Sequence, residues 1–286
     1  MRTTAALALA SLLFAACKPK HPAADAAADA RAPSRPAASV VQLAPTLDGW
    51  RSTATLFPGA DPGVGVVLVH QLGSNRGEWA ALVAKLQEGR AVTSLAIDLR
   101  GHGDSTTGPR DERVTWESFG TDRERWSGTA LDVLAAVQYL RLAGARRVAV
   151  VGSSIGGSAA LLAATSTLGS YAPPPSAEID ALALLSPGLD YHGLETAEPM
   201  RRYLATHRPL LMFAAEGDDE SATAVQTLAP GNLPDVEAEV FAGTSSHGVS
   251  LCNQAPARWA RLDAWIRRVL GVPAATPVAR ALPRDS

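Results

Sequence analysis

The sequence predicts an α/β domain in which a mostly parallel sheet is covered by helices on both faces. Three observations support that class. Short apolar runs alternate with helix-length segments between about residues 40 and 270. The residues able to do chemistry fall just after those runs, at the carboxyl ends of the expected strands, where parallel sheets bind ligands. Finally, Val148-Ala149-Val150-Val151 leads directly into Gly152-Ser153-Ser154-Ile155-Gly156-Gly157. That is a buried strand, a sharp turn with a serine at its tip, and the start of a helix.

The first segment is an address and lies outside the sheet. One positive charge precedes Ala5 to Ala16, a run that is small or apolar apart from Ser11. It is too short to span a bilayer and fits the apolar region of a secretory signal. It ends at Leu13-Phe14-Ala15-Ala16-Cys17, which resembles the bacterial lipoprotein box, with Phe14 where leucine is usual. The resemblance implies cleavage before Cys17, acyl chains on Cys17, and a mature protein held to a membrane outside the cytoplasm. Lys18 follows where an aspartate would favour the inner membrane, so the expected location is the outer membrane. The division expected is therefore signal (1–16), Ala/Pro-rich tether (17–39), folded domain (40–271) and Ala/Pro/Arg-rich tail (272–286).

Within the domain, 40–43 and 51–56 read as a first pair of strands meeting near Asp48-Gly49. Residues 65–70 form a buried strand, followed by a helix over 77–87 and a strand over 92–98. A charged loop runs from 106 to 125. Leu131, Leu134, Val137, Leu140 and Leu142 then recur at helical spacing in a helix over 126–143. After the serine turn and its helix come strands at 181–185, 210–215 and 236–241, with helices near 200–206, 222–228 and 255–270.

Composition excludes several functions. The net charge of −2 gives no basic surface for nucleic acid. The two cysteines, Cys17 and Cys252, stand at opposite ends without metal-ligand spacing, and Cys252 reads as a small buried residue. No metal or organic cofactor is expected.

Ser154 is the candidate nucleophile because of its frame. A serine in a strained turn leaves no room for side chains two residues before and after it. Ser154 has Gly152 and Gly156 there, whereas Ser153 would have Val151. Its hydroxyl needs a neighbouring base.

Taken together, Val69-His70-Gln71-Leu72-Gly73, Arg100-Gly101-His102-Gly103-Asp104-Ser105, the Ser154 turn, Asp218 and Ser246-His247-Gly248 resemble the α/β-hydrolase family, over about 43–270. The family's order of serine, acid, histidine implies His247 as base, the only histidine beyond both other members. It implies Asp218 as acid, with Asp219 one residue out of step and Asp190 after the preceding strand as an alternative. It implies the backbone N–H groups of Leu72 and Ile155 as oxyanion donors. His70 and His102 are expected to brace loops. The chain departs from the family's His-Gly at His70-Gln71, and Gln71 is expected to project an amide over the site.

Only one small helix and loops fit between 185 and 210, where relatives often carry a lid. The chain is in this respect similar to the lidless, dienelactone-hydrolase-like carboxylesterases. That implies a serine esterase acting through an acyl-enzyme on short-acyl or water-soluble esters, with a small-molecule ester and a lipid membrane as partners. A small-peptide or amide hydrolase, or a non-catalytic binding lipoprotein on the same fold, would leave the same fold class.

Overall fold

The computed structural model describes residues 37–88, 92–165 and 177–273. The signal, Cys17, the tether up to residue 36 and the tail from 274 lie outside the described residues.

Ten strands and eight α-helices are described. The strands are β1 (Ser39–Gln42), β2 (Thr53–Phe57), β3 (Asp61–Val69), β4 (Val92–Ile97), β5 (Arg147–Ser153), β6 (Ala181–Leu185), β7 (Asp190–Tyr191), β8 (Leu194–Glu195), β9 (Leu210–Ala215) and β10 (Val236–Phe241). The helices are α1 (Ala80–Leu86), α2 (Arg123–Ser127), α3 (Thr129–Leu142), α4 (Ile155–Thr165), α5 (Ala197–Leu204), α6 (Asp219–Leu228), α7 (Val249–Asn253) and α8 (Pro256–Leu270).

The main sheet has the order β1-β2-β4-β3-β5-β6-β9-β10. β1 and β2 are antiparallel additions at one edge, and β4, β3, β5, β6, β9 and β10 run parallel. This is the expected class.

Alternate residues of one strand feed opposite cores, as a two-residue period requires. In β3, Val67 and Val69 join the core under α3, α4 and α5. Val66 and Leu68 join the core under α1 and α8, with Trp79, Trp259 and Trp265. Because both faces are covered, the central strands read as continuous apolar runs.

Direction changes at β3. The chain goes from β3 outward to β4, then returns to place β5 on the other side of β3. Loops leaving β3 and β5 therefore diverge and open a crevice at their carboxyl ends. His70-Gln71-Leu72 lies on one side of that crevice and Ser154 on the other.

The structure differs from expectation in four places. The helix expected at 77–87 opens as a 3-10 turn, Arg76–Trp79, before α1. The Asn75 side chain accepts from the Gly77 N–H and caps that turn. The helix expected at 126–143 is two helices, because Asp122 caps a separate α2 and a new helix starts after Gly128. Of the leucines placed on its face, Leu142 is 77 % exposed. A two-stranded hairpin, β7–β8, and the short helix α7 were not anticipated.

Candidate active site

β5 ends at Ser153, and the chain turns back on itself through Ser154 into α4. Ser154 has φ 54°, a left-handed conformation that costs a non-glycine residue about 1–3 kcal/mol. Two short bonds hold it there. Its N–H donates to the Leu185 carbonyl at 2.8 Å, and its carbonyl accepts from Gly157 N–H at 2.8 Å. The flanking glycines are a steric necessity. A Cβ on Gly156 would stand 2.5 Å from the carbonyl oxygens of Val69 and His70, and one on Gly152 would run into the Gly156 carbonyl.

Asp218 follows β9 and His247 follows β10. The His247 Nδ1–H donates to Asp218 Oδ2 at 2.7 Å. The Asp218 side chain is 11 % exposed and the imidazole 40 %. The carboxylate is thus buried behind a ring that faces the cleft. Asp219 begins α6 and is exposed, and Asp190 sits exposed in β7, so of the three candidate acids the structure brings Asp218 to His247.

The loop carrying His247 lies against the serine turn. Gly248 N–H donates to Ser186 Oγ at 2.8 Å, and Ser186 holds φ 50° at the end of β6. A Cβ on Gly248 would stand 2.5 Å from Ser153 Oγ and would overlap Gln71 Oε1. Ser186 was not singled out from sequence. Its signal was Ser-Pro-Gly directly after a buried strand, the position where loops of such sheets gather.

The Leu72 peptide is aimed by His70. The Leu99 N–H donates to His70 Nε2 at 3.0 Å, so the ring proton sits on Nδ1, which is 2.7 Å from the Gln71 carbonyl. Ser74 N–H also donates to that carbonyl, at 3.2 Å. The peptide is trans, so fixing the Gln71 carbonyl on this side sends the Leu72 N–H to the other. Burial pushes the His70 imidazole down to about 3, which keeps it neutral and in this tautomer. The turn hydrogen bonds among the described residues use neither the Leu72 nor the Ile155 N–H. Ile155 is the first residue of α4, where amides have no intrahelical partner and the helix dipole favours negative charge.

Gln71 differs from expectation. Its Oε1 accepts from Ser153 Oγ at 3.2 Å, tying the loop after β3 to the serine turn. Its N–H donates to Glu78 Oε1 at 3.0 Å, and burial pushes the Glu78 carboxyl up to about 7. His102 braces its loop, with Nδ1 3.0 Å from the Arg100 carbonyl and its ring stacked on Trp116. Cys252 is fully buried in α7 and its thiol is pushed up to about 12 by desolvation.

Cover over the cleft is slight. Between β6 and β9 the chain forms only the β7–β8 hairpin and the eight-residue α5. A surface cavity of about 610 Å³ lies beside this hairpin. Its lining arginines, Arg123 and Arg202, already pair with Glu195 and Glu198.

The same sheet recurs in solved hydrolases. A Pyrococcus furiosus esterase superposes with a TM-score of 0.58 at 17 % identity, over 81 % of this chain and 91 % of that one. A dienelactone hydrolase from Anabaena variabilis gives 0.56 at 16 % identity, over 80 % and 99 %. A proline iminopeptidase from Mycobacterium smegmatis gives 0.54 at 14 % identity, over 81 % and 99 %. Such low identities speak for the fold and leave substrate open. The sequence matches no curated protein. The family model described as "Alpha/beta hydrolase family" matches residues 66–285, from the middle of β3 past the end of α8. With that match spanning most of a chain folded on this sheet, the protein belongs to the alpha/beta hydrolase family.

Proposed function

We propose that this protein is a serine carboxylesterase that cleaves short-acyl or water-soluble esters through an acyl-enzyme. The observation that carries the reading is the 2.7 Å pairing of Asp218 with His247 on a loop packed against the strained Ser154 turn.

The chemistry follows from those positions. Asp218 holds the Nδ1 proton, which leaves Nε2 as the basic atom of His247. Nε2 takes the Ser154 hydroxyl proton as Oγ attacks the ester carbonyl. The Leu72 and Ile155 N–H groups receive the oxyanion. His247 then returns the proton to the departing alkoxide, and Ser154 keeps the acyl group. In the second half His247 deprotonates water, water attacks the acyl carbon, and Ser154 leaves with the proton.

The acyl preference rests on the slight cover between β6 and β9 and on the exposed imidazole. An open cleft buries little of a long chain, and each buried methylene is worth only about 0.8 kcal/mol. A panel of p-nitrophenyl esters tests this: kcat/KM peaks at two to six carbons, as an order-of-magnitude expectation, and Ser154→Ala is inactive. Rates climbing steadily to long acyl chains would contradict the open cleft.

The cellular setting belongs to the same proposal. Leu13 to Cys17 supports lipid attachment at Cys17 and residence in the bacterial envelope, outside the cytoplasm. In a bacterial host, a clickable fatty acid should label the wild type and leave Cys17→Ser unlabelled. Equal labelling would remove the anchor.

A further inference from the structure

Residues 188–195 fold into a hairpin that presents a single aromatic side chain to the candidate site. β7 and β8 pair Tyr191 with Leu194 and Asp190 with Glu195. The two linking residues, His192 at φ 53° and Gly193 at φ 83°, are both left-handed, as a tight two-residue hairpin turn requires. Histidine is an unusual occupant of such a turn, and its ring is stacked on Trp126 with centroids 4.3 Å apart. Arg123 donates to the Gly193 carbonyl at 2.9 Å and pairs with Glu195 at 2.8 Å. Behind the hairpin, Thr196 Oγ1 donates to the Gly188 carbonyl at 2.7 Å. So many anchors on two short strands hold Tyr191 in place.

The Tyr191 ring lies on Gly188, where any Cβ would overlap it, and stands edge-on to His247 with centroids 6.3 Å apart. Its hydroxyl is held only by long hydrogen bonds and lies beside Ser154. The Ser186 carbonyl stands at 3.4 Å and Ser221 Oγ at 3.5 Å, both beyond the usual 2.5–3.0 Å of an O–H···O bond. Ser154 is its other hydroxyl neighbour. Burial raises the phenol above its ordinary value, so at neutral pH it remains a proton-bearing donor.

Direction assigns the role. Leu72 and Ile155 come from the ends of β3 and the start of α4, and the oxyanion points to them. Tyr191 comes from the β6 side together with the His247 loop, and because the proposed mechanism has His247 protonate the leaving oxygen, that oxygen belongs on this side. Resting on the esterase reading, we propose that Tyr191 is a further catalytic residue whose hydroxyl donates a hydrogen bond to the leaving-group oxygen, fitting the site to esters and lactones of aliphatic alcohols. The phenol keeps its proton throughout, and the proton that neutralises the alkoxide comes from His247. A donor there matters where negative charge builds up on a poor leaving group, and matters little for a nitrophenolate that disperses its own charge.

The test is Tyr191→Phe, which keeps the ring on Gly188, assayed on acetate esters whose leaving alcohols run from p-nitrophenol to ethanol. A hydrogen bond to a charged group is worth about 1.5–3 kcal/mol, so kcat/KM for ethyl acetate should fall about 10- to 100-fold. The loss should shrink as the leaving group improves and be smallest for the p-nitrophenyl ester, whose nitrophenolate disperses its own charge. Equal losses across the series, or none on ethyl acetate, would overturn the assignment. If Tyr191→Phe fails to melt cooperatively, 3-fluorotyrosine at position 191 replaces it. Its more acidic phenol should flatten the leaving-group dependence, and an unchanged dependence overturns the assignment. A wild type that hydrolyses no ester overturns the esterase reading and this one together. An active wild type with an inactive Ser154→Ala and an unaltered Tyr191→Phe overturns only this one.

Discussion

His247 Nδ1 stands 2.7 Å from Asp218 Oδ2, while Asp219, the next residue in the chain, turns outward at the first turn of α6. One residue of register separates a buried partner from a solvated one. Asp218→Asn presents an amide that supports the wrong imidazole tautomer, and kcat should fall about 10³- to 10⁴-fold. Asp219→Asn should stay within about twofold, since an exposed carboxylate contributes little. Esterase assays of the pair check this, and similar losses in both would remove Asp218 as the partner of His247.

His70 acts on Leu72 through one carbonyl. In His70→Ala the Leu99 N–H loses its buried partner, costing about 1–3 kcal/mol, and the Gln71 carbonyl keeps only Ser74, so the Leu72 N–H loses part of its aim. Activity should fall about 10- to 100-fold, mainly in kcat, if the Leu72 N–H serves the proposed tetrahedral intermediate. His70→Asn restores a donor to the Gln71 carbonyl and should recover part of the loss. Stability has its own signature. The folded imidazole is held down to about 3 against an ordinary 6.5, so its contribution is complete above pH 6.5 and is lost as pH falls towards 3. Wild type should therefore lose up to about 1.4 kcal/mol per pH unit in that window, and His70→Asn should lack this component. Parallel pH–stability curves would contradict the buried neutral tautomer.

Glu78 works in the opposite sense. Burial raises its carboxyl from 4.5 to about 7, outweighing the Ser74 and Gln71 hydrogen bonds that favour the charged form. The folded protein binds this proton more tightly than the unfolded chain, so stability is complete below pH 4.5 and erodes as pH rises towards 7. Glu78→Gln retains an acceptor for the Gln71 N–H and removes the charge. Relative to wild type it should gain on the order of 1–2 kcal/mol between pH 5 and pH 8, discounted for partial exposure. Thermal melts at the two values decide it, and a constant difference would show that Glu78 ionises freely.

What sequence could reveal depended on how local the cause was. The Ser154 turn was legible because its geometry is enforced by immediate neighbours: apolar β5 residues before it and Gly152 and Gly156 on either side. The parallel strands were legible for a similar reason, being buried on both faces. The β7–β8 hairpin was not, because two residues per strand carry no periodicity and its support comes from Arg123 and Trp126, far away in sequence. Gln71 was misjudged likewise. Its side chain is claimed by Ser153 across the crevice, a contact that exists only once β3 and β5 are neighbours. Tyr191 passed unnoticed because a lone tyrosine in a loop has no spacing to mark it.

The most direct measurement is mass spectrometry of the protein after reaction with a fluorophosphonate. One adduct is expected, on the peptide carrying Ser154, formed with loss of esterase activity and absent from Ser154→Ala. An adduct on another residue, or full activity in Ser154→Ala, would contradict Ser154 as the nucleophile.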